Sequence, residues 1–205
     1  MRNAAIRLRL WLARHRPAAA ALTAALALGL TGLSGGCSAA KPSADPSAHP
    51  AGSPQPATAS FTDSGVTVTL RLGPWHAGSS VLTAVFAPVR AGFHLYSTSL
   101  PPNGVDGVGR PTAIQVSGAL AAQGQLTAHA ATRALTLTGS TKPVPVYPDG
   151  PVTTTLTLRH QSAGPAVVEV SYAACSVREG CLFPVSGHPV RLSVTDTGAT
   201  FSPAP

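Results

Sequence analysis

The feature that most constrains this chain is a period-two alternation of apolar and polar residues in short runs. Val66-Thr67-Val68-Thr69-Leu70-Arg71-Leu72 is the clearest case. The pattern recurs over 81–86, 93–96, 114–116, 135–137, 153–158, 167–172 and 190–194. Alternation rich in Val, Thr and aromatic residues predicts strands that bury one face. Turn residues punctuate the runs: Gly73-Pro74, Pro101-Pro102-Asn103-Gly104, Pro148-Asp149-Gly150 and Ala163-Gly164-Pro165. With 20 Gly and 20 Pro among 205 residues, the composition argues against a helical bundle. Short strands and turns over 61–197 predict an all-β fold, an antiparallel β-sandwich. The stretch 119–134 is the exception, since its alanines would support one helical turn. The immunoglobulin disulfide pattern, two distant cysteines flanking a Trp, is missing, because Trp75 lies far before Cys175. The sandwich is therefore expected to be immunoglobulin-like in shape only.

Residues 1–36 read as an address rather than as fold. Arg2, Arg7, Arg9, Arg14 and Arg16 form a positive segment, and Ala18–Leu33 is an apolar run of 16 residues followed by Ser34-Gly35-Gly36-Cys37. Charge, a short apolar core and small residues are the order of an export signal. A spanning helix needs about 20 apolar residues. Small residues directly before a Cys resemble a bacterial lipoprotein signal, in which Cys37 becomes the lipidated N-terminus. The usual Leu three residues before the Cys is Ser34 here, with Leu33 one further back. Ordinary cleavage near Ala39 or Ala40 is the other reading. Either way the mature chain lies outside the cytoplasm, anchored to the outer face of the membrane or free. Residues 37–60 are Pro, Ser and Ala with few large apolar groups, which predicts a disordered tether. Residues 198–205 are expected to form a disordered tail.

The net charge of +7 invites a nucleic-acid reading until the charges are placed. Five of the 14 basic residues belong to the signal, and from Ser38 onward nine basic residues face seven acidic ones. A groove that tracks phosphates needs several cations on one face. No such cluster exists, so nucleic acid is excluded as a partner. The histidines His76, His94, His129, His160 and His188 are scattered without ligand spacing, and the one methionine is Met1. No metal or cofactor is expected. No hydrolase motif or carboxylate pair stands out. The Gly-rich run 104–109 reads as a loop, because no helix follows to present amides to a phosphate.

Three cysteines divide into Cys37 for the anchor and Cys175 with Cys181 for each other. Export places the pair in a compartment that permits disulfides. Its spacing is Cys-Ser-Val-Arg-Glu-Gly-Cys, after a strongly patterned strand, so it sits near a hairpin tip or tight loop. A ring this small constrains the unfolded chain weakly, which weakens a purely structural role. Arg178 would favour a thiolate and Glu179 would oppose it. The residues alone leave a redox role and a structural role open.

The flanking sequence adds a resemblance. Val170-Ser171-Tyr172-Ala173-Ala174-Cys175, five residues, then Cys181-Leu182-Phe183-Pro184 is similar to the N-terminal domain of the thiol:disulfide interchange protein DsbD. Gly92-Phe93-His94-Leu95-Tyr96 resembles that family's Gly-aromatic-aromatic-Leu-Tyr strand. Val146-Tyr147-Pro148-Asp149-Gly150 falls where the family has a Tyr-containing segment. The resemblance covers about 61–194 and implies an immunoglobulin-like domain whose two cysteines cycle between dithiol and disulfide. It implies a redox relay domain, a protein-disulfide reductase component. Its expected partners are a thioredoxin-like protein or a membrane electron carrier of the DsbD/CcdA type, and disulfide-containing exported proteins. It leaves the end use, cytochrome maturation included, unassigned. Carried over, Cys175 and Cys181 are the redox pair, Cys181 the attacking residue. His94 and Tyr96 lie beside it, with His94 standing for an aromatic hydroxyl. A neutral imidazole there accepts a thiol proton near pH 7.

The chain departs from that family twice. No cap loop with acidic and aromatic residues aligns over 137–146, and Tyr147 is the nearest candidate lid. The chain also stops at Pro205, so membrane and thioredoxin domains are expected as separate proteins. The alternative function is a non-catalytic surface lipoprotein that binds a partner and pins a hairpin with a structural disulfide.

Overall fold

The computed structural model describes residues 57–202. The expected signal, Cys37, most of the tether and the last three residues lie outside them. The first strands are β1 (Ala57–Asp63), β2 (Val66–Leu72), β3 (Ser79–Pro88) and β4 (His94–Leu95). Next come β5 (Ala113–Gly118), β6 (Leu120–Ala128), β7 (Arg133–Leu135), β8 (Val144–Val146) and β9 (Val152–His160). The last are β10 (Gly164–Tyr172), β11 (Ala174–Ser176), β12 (Gly180–Cys181), β13 (Val185–Thr195) and β14 (Gly198–Phe201). A five-stranded sheet runs β1-β2-β3-β9-β6 and a four-stranded sheet β14-β13-β10-β5. A three-stranded sheet, β12-β11-β4, and the pair β7-β8 complete it. Every strand pairing is antiparallel.

The alternation read from the sequence is what joins the two large sheets. Val66, Val68, Leu70 and Leu72 from β2 are buried, as are Leu82, Ala84 and Phe86 from β3. They share one core with Val168, Val170 and Tyr172 of β10 and Leu192 and Val194 of β13. Side chains of period two face one way, so each sheet buries its apolar face on the other; the threonines of β2 face outward, whereas Thr154 of β9 is buried and donates to the Ala84 carbonyl at 3.3 Å. The result is an antiparallel, immunoglobulin-like β-sandwich, the fold class the alternation predicts. Tyr172 crosses between the sheets. Its ring meets Phe86 edge to face at 5.7 Å, and its hydroxyl donates to the Asp63 carbonyl at 2.9 Å.

The structure differs from the sequence reading at the margins. Strand β1 begins at Ala57, inside the segment expected to be tether, because Ala57 to Asp63 pair residue by residue with Leu72 to Val66. Strand β14 extends to Phe201, past the expected boundary at 197, by pairing with β13. Both are edge strands paired with one neighbour; β1 alternates, but with alanine as its main apolar residue, and β14 does not alternate. The alanine-rich stretch contains strand β6, not a helical turn, because β9 supplies its partner. Tertiary pairing overrides a modest local helix propensity.

Two glycine positions set corners. Ser64 (φ 42°) and Gly65 (φ 68°) form the two-residue turn between β1 and β2; two left-handed residues in succession suit the twist of a tight hairpin. Gly118 (φ +84°) turns the chain from β5 in one sheet to β6 in the other. A Cβ there would lie 2.5 Å from the Pro165 carbonyl oxygen, a backbone atom that cannot step aside. Gly118→Ala therefore combines left-handed strain with a backbone clash. It should lower stability by about 2 kcal/mol or more, read as a shift of the urea midpoint without a change in slope.

Candidate functional site: a cysteine pair on a small sheet

Strand β10 runs into β11 after a register irregularity between Val170 and Tyr172, and there the chain leaves the four-stranded sheet. β11 instead lies between β12 and β4. Cys175 stands directly opposite Cys181 on one side and opposite His94 on the other. Directly opposed residues point to the same face, so these three side chains form a row across the small sheet. Tyr96, two residues beyond His94, points to that face as well.

Cys175 and Cys181 are joined in a disulfide, with Cα atoms 4.0 Å apart. The two sulfurs differ in environment. Cys175 is 3% exposed and belongs to a second apolar cluster with Tyr96, Leu100, Val144, Val146 and Ala173. Cys181 lies on the exposed strand β12. The Tyr96 hydroxyl is 3.1 Å from the Cys175 sulfur and 3.8 Å from that of Cys181. A disulfide sulfur carries no hydrogen, so the hydroxyl donates. Burial raises the Tyr96 pKa above 10.0 and keeps the phenol protonated.

Several contacts fix the hairpin. Leu182 packs against the β1–β2 turn, so closely that a side chain on Gly65 would meet its Cδ1 at 2.7 Å. The Leu182 amide donates to the Ala174 carbonyl at 3.0 Å. Arg90 pairs with Glu179 at 2.6 Å and lies over the Phe93 ring at 4.5 Å. Glu179, expected to oppose a thiolate, therefore has a cation of its own. Arg178 stays exposed at the hairpin tip, and its guanidinium enters no ion pair among the described residues. Gly109 (φ +86°) packs onto the Tyr96 ring, where a Cβ would come within 2.7 Å.

Of the residues nominated from the sequence, Cys175, Cys181, His94 and Tyr96 come together. Tyr147 does not act as a lid. Its side chain is buried in the main core, and its hydroxyl donates to Thr98 Oγ1 at 3.0 Å and accepts from the Thr98 amide at 2.9 Å. The stretch 137–146, which offered no recognisable cap, does contribute cover of another kind: Leu137, Val144 and Val146 pack in the cluster that holds Tyr96 and Cys175. Cys37 lies outside the described residues. A separate groove of about 630 Å³ opens beside Phe61, His188 and Phe201, and none of the cysteine-site residues lines it.

Sequence reasoning missed two residues, Asp149 and Arg133. Asp149 was visible as a turn residue and within the Val146–Gly150 segment, with no role of its own. Its Oδ1 accepts from Arg133 at 2.7 Å and lies 3.4 Å from His94 Nδ1. That second contact has ion-pair distance but not hydrogen-bond geometry, and neither His94 nitrogen has a hydrogen-bond partner among the described residues. No spacing pattern links these positions, since each comes from a different strand or loop.

The fold and site define an antiparallel β-sandwich bearing an asymmetrically exposed cysteine pair. No family model matches the chain, and no curated protein matches it. Among solved structures it is similar to the crystal structure of the Neisseria meningitidis DsbD N-terminal domain in the reduced form. Identity is 13%, over 68% of this chain and 91% of that one, with a TM-score of 0.41. A likeness at that level says nothing of the cysteine pair.

Burial lowers the His94 pKa below 6.5, Asp149 opposes that shift, and Arg133 adds to it. Between the lowered folded value and 6.5 the unfolded chain binds more protons than the native one. Stability therefore rises with pH through that window and is lost as pH falls below 6.5. His94→Phe should remove this part of the acid sensitivity, measured by urea unfolding across the acid range. Tyr96→Phe removes the donor to the Cys175 sulfur. In the reduced variant the Cys175 thiol should titrate at higher pH than in the wild type, read from thiolate ultraviolet absorbance.

Proposed function

We propose that this domain performs thiol–disulfide exchange through Cys175 and Cys181. The observation that carries the reading is the asymmetry of the pair: one cysteine on the exposed edge strand β12, the other buried with its sulfur beneath a tyrosine hydroxyl. An incoming thiolate reaches Cys181 first. It forms a bond to the Cys181 sulfur, the disulfide breaks, and Cys175 leaves as a thiolate that the Tyr96 hydroxyl stabilises. In the reverse direction Cys181 attacks a partner disulfide, and Cys175 resolves the mixed disulfide by attacking Cys181. No cofactor is needed, because electrons move with the sulfur bonds.

The surface beside Cys181 supports a protein as the exchange partner. Val177 is 71% exposed and Phe183 87%, and they flank the cysteine in sequence on either side. Exposed apolar side chains beside a reactive group favour a docked protein surface over a small thiol. The partners proposed from the sequence resemblance are a thioredoxin-like protein or membrane electron carrier on one side and exported disulfide proteins on the other. The signal-like N-terminus supports a place outside the cytoplasm, with Cys37 as a lipid anchor.

In a Cys175→Ala variant Cys181 keeps its exposed thiol and loses the residue that resolves adducts. Expressed in an exporting bacterium, it should accumulate mixed disulfides, seen as reductant-sensitive bands and identified by mass spectrometry. A Cys181→Ala variant should not. Absence of adducts, with a reduction potential well below about −300 mV for the wild-type pair, would mark the bridge as structural.

A further inference from the structure

The exchange just proposed leaves one proton unassigned. Cys175 is buried, so when it resolves a mixed disulfide its thiol proton cannot pass directly to bulk water. Two polar side chains share the face of the small sheet with its sulfur, Tyr96 and His94. The Tyr96 phenol is held protonated by burial, and a neutral phenol is far too weak a base to carry a thiol proton. His94 is different. It is 1% exposed, stands directly opposite Cys175 on the neighbouring strand, and meets the Tyr96 ring edge to face at 6.2 Å. Opposed residues on paired strands have Cβ atoms about 5 Å apart.

The surroundings of His94 prepare it as an acceptor. Asp149 Oδ1 lies 3.4 Å from Nδ1, and the same oxygen is held by Arg133 at 2.7 Å. A carboxylate at Nδ1 favours the tautomer with its proton on that nitrogen, which leaves the lone pair on Nε2. Nε2 is buried and unpartnered among the described residues. A buried imidazole acceptor with no partner is costly in a protein interior and calls for a role. The charged and titratable groups around it are Asp149 from the loop after β8, Arg133 from β7, Tyr96 on its own strand and Cys175 on β11. Asp149 is 44% exposed, so it links the buried ring to solvent.

Resting on the exchange reading, we infer that His94 takes the Cys175 thiol proton in the resolving step and returns it in the reverse step, with Asp149 as the positioning residue. In resolution the Cys175 sulfur bonds to Cys181, the bond from Cys181 to the partner breaks, and the partner leaves as a thiolate. The proton from Cys175 resides on His94 and leaves past Asp149. In the reverse step a proton enters from solvent past Asp149 to His94, which passes it to the departing Cys175 thiolate. Electrons and protons balance without a further reagent.

The test uses reduced protein and dithionitrobenzoate disulfide, whose thiolate product is coloured. The first equivalent released reports attack by Cys181, and the second reports closure by Cys175. With a neutral base in place, wild-type closure should vary little with pH above 6.5. In His94→Phe, closure should depend on the free thiolate and rise about tenfold per pH unit through neutrality. It should be slower than wild type by about tenfold or more near pH 7. Asp149→Asn, at a half-exposed position, should slow closure without changing the first release, and Asp149→Glu should restore it. A wild-type-like profile in His94→Phe, or unchanged closure in Asp149→Asn, would overturn the inference and leave the exchange reading intact. Failure of the wild type to release a second equivalent would overturn both.

Discussion

The register of β11 between β4 and β12 is the constraint on which the site depends. Cys175 is opposite Cys181 on one edge and opposite His94 on the other. A slip of one residue would turn Cys175 to the other face, away from Tyr96 and His94, because side chains alternate with a period of two. What holds the register is packing on both sides. Leu182 locks β12 against the turn of the first hairpin, and Ala173 and Cys175 lie in a cluster with Val144, Val146 and Tyr96. The small sheet thus borrows its rigidity from the sandwich and from the β7–β8 hairpin. Three short strands of two or three residues would not hold a geometry alone.

Burial then differentiates groups that are chemically alike. The two cysteines differ only in which side of the hairpin each occupies, yet Cys181 is exposed and Cys175 is buried, with the Tyr96 phenol nearer the Cys175 sulfur. The same burial pushes the tyrosine toward its protonated form and the histidine toward its neutral form. A donor and an acceptor are the outcome of one physical effect acting on groups of opposite charge type. The exposed pair Arg90–Glu179 contributes little energy in water, since both side chains are about half exposed. Its consequence is local: it occupies the acid that stands nearest to the cysteines in sequence.

Much of the fold was legible because alternation is a short-range signal. The long strands β2, β3, β9, β10 and β13 overlap the runs picked out by period two, and the residues buried within those runs are apolar except Thr154. The strands that escaped reading are short or polar. β12 is Gly180-Cys181, and β11 is buried at every position, so neither alternates. β6 and β14 owe their conformation to a paired neighbour. In the site, Cys175, Cys181, His94 and Tyr96 were legible through two local motifs. Asp149 and Arg133 were not, because their meeting with His94 depends on how β7 and the loop after β8 fold over β4.

The sequence alone determined the all-β class, the placement of charge in the N-terminal segment, and the pairing of Cys175 with Cys181, because each depends on composition or near neighbours. The tertiary structure decided which sulfur is exposed, that Tyr96 donates to Cys175, that Tyr147 belongs to the core, and that Asp149 stands beside His94. Those outcomes depend on burial and on contacts between distant strands. Burial is a property of the packed chain, and a period-two pattern shows only that one face is hidden, not which groups lie beneath it.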